Sequence, residues 1–234
     1  MELEMQARDT GRALTAGAII ARGPGRSGRG PCGQTAWNRP QACKHNRRMD
    51  DIVKQALGKW PNVPDCCGWL GLDARGRWYM RDDATQAAGA FPHSKGALLQ
   101  HEGLIGFIAR NYEPDAQGQW FFQNGPQRVY VELEITPWIW RLQADGFSAV
   151  SHTGRRAVVH DCLVDAQGRV YLDSDIGVGL VHTLDVALAA DAVDAGHWTP
   201  RDVRAEDLPA RHGYVLSPRA AANAGAKAPA RPRT

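Results

Sequence analysis

The sequence contains no apolar run approaching the roughly 20 residues that a membrane-spanning helix requires. The longest near the N-terminus, "ALTAGAII" from Ala13 to Ile20, is interrupted by Thr15 and Gly17. No clean small-residue cleavage site follows it, so a secretory leader is not expected. Paired C-x-x-C and H-x-x-x-H spacings are also missing, and with them the usual sign of a structural zinc site. HExxH, GxSxG and the phosphate loop do not occur. The five cysteines are an odd number and include an adjacent pair, Cys66-Cys67. That is a poor disulfide framework, and a reducing cytoplasm is the expected setting.

Charge is segregated along the chain. Residues 1–48 carry nine basic and three acidic side chains, and residues 217–234 carry four basic ones and no acid. Between them, residues 49–216 hold 15 basic against 22 acidic residues, a net of −7 within a chain whose total is +3. Net charge therefore lends no support to phosphate tracking by the middle, and leaves nucleic-acid contact only to the tails. The first 48 residues include "ARGPGRSGRGPCGQ", too poor in apolar side chains to offset the entropy of ordering. They read as a disordered basic extension, and the residues from 218 to 234 as a disordered basic tail.

Met49 opens "MDDIVKQALGKWPNVP", in which Asp50 or Asp51 can cap a helix. Ile52, Val53, Ala56, Leu57 and Trp60 then recur at helical spacing, and Pro61 prevents simple continuation. A methionine directly before a capped helix suggests that translation begins there. One globular domain, 49–217, is expected.

Within it one phrase appears three times: Asp73-Ala74-Arg75-Gly76, Asp115-Ala116-Gln117-Gly118 and Asp165-Ala166-Gln167-Gly168. Asp stands where a type I turn wants a short acceptor, and Gly where the chain needs positive φ to rejoin a strand. Residues suited to strands follow each one. "HEGLIGFIARNY", from His101 to Tyr112, predicts a helix. "RVYVELEI" predicts a strand with Val129, Val131, Leu133 and Ile135 inward, and Arg128, Tyr130, Glu132 and Glu134 in solvent. "PWIWRL" and "FSAVS" read as a hairpin around Asp145-Gly146. Thr183 is the expected cap of a helix ending at Gly196, Thr199-Pro200 the start of another, and "GYVLSP" a closing strand. The first and third turns are each followed by an Asp-rich loop and a helix, which suggests duplication of a hairpin plus helix. The fold class expected is α+β, mostly antiparallel hairpins and meander with a few short helices.

"MDDIVKQALGKWPNVP", "GWLGLDARGRWYMRDD", "FFQNGPQRVYVELE" and "LPARHGYVLSP" together resemble a family of uncharacterised bacterial proteins known as a domain of unknown function, of the DUF2946 type. The resemblance runs from about Met49 to Arg219 and implies a small cytoplasmic bacterial protein starting at Met49. It implies no activity, cofactor or catalytic residue.

The residues themselves offer a short set of candidates. Seven of the eight tryptophans lie within 49–216, and Trp138 and Trp140 project from one strand face. With Trp120 they could form an aromatic binding surface, although such rings also fill small cores. Glu132 and Glu134 are neighbours on one strand face, a pattern that suits acid/base work, a cation or simple solvation. Cys66 or Cys67 with a nearby histidine could act as a nucleophile. His160 and Cys162, two apart, could join them around zinc. No cofactor is implied. The reading that follows is a non-enzymatic module binding a protein or small ligand. A Cys/His enzyme or metal site, and nucleic-acid contact through the tails, are the alternatives.

Overall fold

Each Asp-Ala-Xaa-Gly phrase reverses the chain between two paired strands. The Asp carbonyl accepts the Gly amide three residues on, at 3.0, 3.1 and 2.9 Å in chain order, and the glycines take φ of +75°, +76° and +74°. One carboxylate oxygen accepts two further amides of the same turn, at 2.9–3.0 Å. The other oxygen receives a tyrosine hydroxyl, from Tyr79 at 3.3 Å, Tyr130 at 3.1 Å and Tyr171 at 2.8 Å. In the first and third turns the tyrosine lies six residues after the Asp. In the second that place is Phe121, and the hydroxyl comes from Tyr130, its register partner on the next strand. A fourth turn has the same backbone bonds with Ser151 in place of Asp: Gly154 donates to the Ser151 carbonyl and Arg155 to its Oγ.

The computed structural model describes residues 63–227 except 144, 146 and 147, all within the compact unit Lys44–Thr234. The basic extension and the helix expected from Asp50 to Trp60 lie outside the described residues. Among the described residues there are thirteen strands: β1 (Cys66–Leu72), β2 (Trp78–Met80), β3 (Ala97–Leu98), β4 (Tyr112–Pro114), β5 (Trp120–Asn124), β6 (Gln127–Leu133), β7 (Trp138–Leu142), β8 (Ala149–Ser151), β9 (Arg156–Ala157), β10 (Val159–Val164), β11 (Val170–Ser174), β12 (Gly179–Val181) and β13 (Pro200–Asp202). They form a six-stranded sheet of order β3-β2-β1-β6-β5-β4 and a seven-stranded sheet of order β13-β10-β11-β12-β7-β8-β9. Among the described residues five short α-helices accompany them: α1 (Asp83–Ala88), α2 (Glu102–Arg110), α3 (Val186–Asp194), α4 (Leu208–His212) and α5 (Pro218–Lys227).

The fold is α+β, mostly strand with some helix, but its sheets are mixed rather than a plain meander. β1 runs parallel to β6, β12 to β7, and β10 to β13. Read from β9, the second sheet repeats the order of the first: strands 3-2-1-6-5-4 recur as 9-8-7-12-11-10, with the first and last strand of each set parallel. The units that correspond are thus six-strand sets. The turns at Asp115 and Asp165, joining β4 to β5 and β10 to β11, hold equivalent places, whereas the expected match pairs the first turn with the third. Two parallel strands need a long connection between them, and that connection carries the intervening hairpins.

Other expectations are corrected by local chemistry. Thr183 caps no helix: it opens a 3-10 turn, Thr183–Asp185, capped by the His182 ring, whose Nδ1 accepts from the Leu184 amide at 3.1 Å, and α3 follows from Asp185 without a side-chain cap. Pro200 opens an edge strand, where a missing N–H costs nothing, and the next helical turn begins at Ala205. Residues 213–217 form no strand: Val215 donates to Gly118 and Leu216 accepts from Leu133 as the chain crosses from one element to the next. Pro218–Lys227, expected as tail, is the helix α5. Its first turn is held by Glu132, which accepts the Ser217 hydroxyl at 2.5 Å and the Arg219 amide at 3.1 Å.

One apolar core joins both sheets. Tyr112 stands 4.7 Å from Trp120 and 5.5 Å from Trp138, measured between ring centroids, and Trp138 stacks on Trp140 at 6.1 Å. The polar edges of these rings are satisfied by backbone: Trp138 Nε1 donates to Ile176 O, Trp140 Nε1 to Leu172 O, and the Tyr112 hydroxyl to Pro137 O.

Two of the turn glycines separate conformational strain from crowding. Gly168 has φ of +74° and open space where a Cβ would sit, so Gly168→Ala should cost about 1 kcal/mol. At Gly118 a Cβ would meet the Gly213 carbonyl oxygen directly. Gly118→Ala should therefore be clearly worse, which urea denaturation of the two variants will measure; equal losses would mean that the contact with Gly213 is unimportant.

Candidate functional site

The first of the three aspartate turns differs from the others in what surrounds it. Asp73, 2% exposed, takes Arg77 Nε at 2.8 Å and has Lys95 Nζ at 3.9 Å. Lys95 also bonds Glu134 at 2.7 Å, and Glu134 accepts the Ala74 amide at 3.2 Å. Burial pushes the Asp73 carboxyl up in pKa, but the Arg77 and Arg75 amides and the Arg77 guanidinium outweigh it and hold the group below its ordinary value. The tip of this turn rests on the second sheet. A Cβ at Gly76 would lie 2.7 Å from His152 Cβ and 3.6 Å from Ile139 Cβ.

Ile139 and Arg141 share a face of β7 by strand alternation. Beside them on β12, Leu180 pairs with Ile139 and Val181 with Trp140, so His182 follows at the level of Arg141. Arg141 forms a fork on Asp185, with Nε at 2.6 Å and Nη2 at 3.1 Å from its two oxygens, and Asp185 also accepts the Leu142 amide at 3.0 Å. The His182 imidazole is held down in pKa by partial burial and by the like charge of Arg141; Asp185 opposes them, and Arg75 adds to the lowering. A polar seam thus lies where the first turn meets the β7–β12 pair, carrying Asp73, Arg75, Arg77, Lys95 and Glu134 from one side and Arg141, His182 and Asp185 from the other.

His152 closes the base of the seam. Its ring centroid is 5.4 Å from that of Trp78, 5.8 Å from Tyr112 and 6.0 Å from Trp138. Nδ1 accepts from the Ile139 amide at 3.3 Å, which places the proton on Nε2, and Nε2 has no hydrogen-bond partner among the described residues. Burial drives the imidazole pKa down to about 3, against a weaker upward pull from Asp73.

The family model for a protein of unknown function (DUF2946) matches residues 49–219. The chain belongs to the DUF2946 family. Among curated proteins none matches it. A DUF1285 family protein from Silicibacter pomeroyi DSS-3 is a structural neighbour, at 13% identity and a TM-score of 0.38, over 56% of this chain and 72% of that one.

The DUF2946 domain puts the residues singled out by sequence in separate places. Trp138 and Trp140 do share a strand environment, but they are 1% and 0% exposed, and Trp120 is 7% exposed. The aromatic face is the core between the sheets and offers no surface to a partner. Glu132 and Glu134 also do not act together: the first anchors α5 and the second bonds Lys95. Their face of β6 is not solvated, since Tyr130 and Glu132 are 7% and 4% exposed. It is covered by α5, and the neighbouring β1 by Phe91, whose ring occupies the space beside Gly71.

The thiol candidates are dispersed. Cys66 and Cys67 lie on β1 in one sheet and Cys162 on β10 in the other. Burial, reinforced by Cys67, pushes the Cys66 thiol up to about 11; burial and Glu132 raise Cys67, and burial raises Cys162. No thiolate is favoured at neutral pH. His160 is exposed and Cys162 buried, and a register shift between Val159 and Asp161 breaks the alternation that would have aligned them. No three His, Cys, Asp or Glu side chains converge as metal ligands among the described residues. None of the described helices is long and apolar enough to cross a membrane. The seam itself was missed by sequence reading. Its only signals were the basic residues that interrupt two turns and strands, Arg75 and Arg141, and these are indistinguishable from ordinary surface charge.

The depressed His152 pKa carries a sign. An unfolded histidine takes its proton near pH 6.5 and the folded one only near 3, so stability is complete above pH 6.5 and is lost on acidification through that window. The expected slope for this group alone is about 1.4 kcal/mol per pH unit. Urea unfolding between pH 7 and pH 5 should show it, and His152→Gln should flatten the profile; an unchanged profile would mean the ring is hydrated in solution.

Proposed function

We propose that this chain is a non-enzymatic binding module whose ligand or partner engages the polar seam between the first turn and the β7–β12 pair. The observation that carries the reading is Arg75. It is exposed at the tip of a turn whose backbone is fixed by the buried Asp73, and its guanidinium bonds to none of the described residues. The cations around it are already engaged: Arg77 on Asp73, Lys95 on Glu134 and Arg141 on Asp185. A rigid base with one unspent charge suits recognition, because little ordering is left to do when the partner arrives. A cytoplasmic setting belongs to the same reading, since Cys66, Cys67 and Cys162 are all free thiols. The raised thiol of Cys66 favours no nucleophilic role.

Arg75→Glu reverses this charge without removing any described side-chain bond, so its Tm should stay within about 2 °C of wild type. A thermal-shift screen against a metabolite library should give at least one stabilising compound for wild type that loses its effect in Arg75→Glu. Equal stabilisation of both proteins would move the binding surface away from the seam.

A further inference from the structure

Small oxyanions are normally held by a combination of guanidinium charge and a few fixed N–H donors, with the surrounding carboxylates already committed elsewhere. The seam has that composition at one spot. Asp73, Glu134 and Asp185 are each saturated by their own cations and backbone amides, so none is left to compete with or repel an incoming anion at full charge. Arg75 is not saturated. Its turn is seated on Ile139, two residues from Arg141 along the same face of β7. His182 lies alongside, one residue past the end of β12, where its amide donates to the Trp140 carbonyl at 2.8 Å.

The orientation of His182 is also determined. Its Nδ1 is occupied as acceptor for the Leu184 amide, so the neutral ring carries its proton on Nε2 and presents a donor from the other edge. Three positive or donating groups are therefore carried by adjoining elements at this spot: the Arg75 guanidinium on the turn, the outer edge of the Arg141 fork on β7 and the His182 Nε2–H just after β12. The charged groups facing His182 are Arg141, Asp185, Arg75 and Asp73. This occurs in a domain that is acidic overall, 22 acids against 15 bases over residues 49–216, so the cationic spot is not part of a generally basic surface.

We infer that Arg75, Arg141 and His182 form a binding site for a single oxyanion group, a phosphate monoester or a carboxylate carried by a small ligand. This rests on the seam being the binding surface, and it names the chemistry recognised there. An anion in that position neutralises the repulsion between the two arginines and the imidazole, so its arrival must make His182 easier to protonate, and protonation of His182 must tighten the anion in return. Arg141 spends one face of its guanidinium on Asp185 and so is fixed in place, whereas Arg75 closes from the turn above.

The test uses the full chain and two probes, inorganic phosphate and acetate, titrated while the His182 imidazole resonances are followed by NMR. The His182 signal is assigned by its loss in His182→Gln. The expected result is a saturable upward shift of the His182 pKa with at least one probe. In Arg75→Gln that binding should weaken at least about tenfold, while Arg204→Gln, which removes an exposed arginine paired with Asp207, should leave it unchanged. Preference for phosphate identifies a phosphoryl ligand, and preference for acetate a carboxylate. The inference is overturned if neither probe shifts His182, or if the shift survives Arg75→Gln. Should that happen while Arg75→Glu still abolishes ligand stabilisation in the library screen, the seam remains the binding surface and only the oxyanion assignment fails.

Discussion

The two six-strand sets can meet because residue 76 has no side chain. A Cβ there would stand against the Cβ of His152, and Gly76 in its left-handed conformation lets the first turn settle directly on β7. Everything at the seam follows from that close approach. Asp73 is buried beneath the tip, the His152 ring is trapped among Trp78, Tyr112 and Trp138, and Arg75 is carried on the turn that settles against the β7–β12 pair. Packing at this density permits little adjustment, which makes the geometry of the turn the geometry of the site.

The aromatic residues serve this arrangement from below. Trp120, Tyr112, Trp138 and Trp140 come from both sheets and pack edge to face and stacked, the arrangements their ring quadrupoles prefer. Trp138 Nε1, Trp140 Nε1 and the Tyr112 hydroxyl each find a backbone carbonyl, whereas the Nε2 of His152 beside them has no partner among the described residues. That one unpaired donor is consistent with a ring chosen by shape and by its bond to Ile139. Its cost falls on acid stability, because the enclosed imidazole takes a second proton only near pH 3.

The charged groups show a division of labour between near-identical residues. Asp115 caps its own turn and holds a tyrosine, and Asp165 does so while also pairing with Arg169. Asp73 pairs with Arg77 in the same way and has Lys95 beside it as well. Glu132 and Glu134, two residues apart, serve opposite ends of the fold: one fixes the C-terminal helix and the other ties Lys95 to the seam. Arg81, 1% exposed, spends its guanidinium on the carbonyls of Gly68, Gly89 and Ser94, pinning the loop over the first sheet rather than facing a ligand. Residue type alone distinguishes none of these roles.

Local chemistry was legible in the sequence wherever a few consecutive residues decide it. The aspartate and glycine of each turn set the backbone whatever lies around them, and the apolar stripe of α2 and the alternation of β6 are likewise properties of short windows. Family membership could be read for the same reason, since it rests on those segments. The fourth turn escaped notice because serine replaced aspartate in it. Tertiary structure decided the rest. Which strands run parallel, which turns are equivalent, whether the outer face of β6 meets water or α5, and whether Trp138 and Trp140 form a surface or a core all depend on partners many residues away. Burial of a side chain is a relation between segments, and a linear pattern holds only one side of it. Arg75, Arg141 and His182 become a site through a contact between Gly76 and a strand more than sixty residues further along.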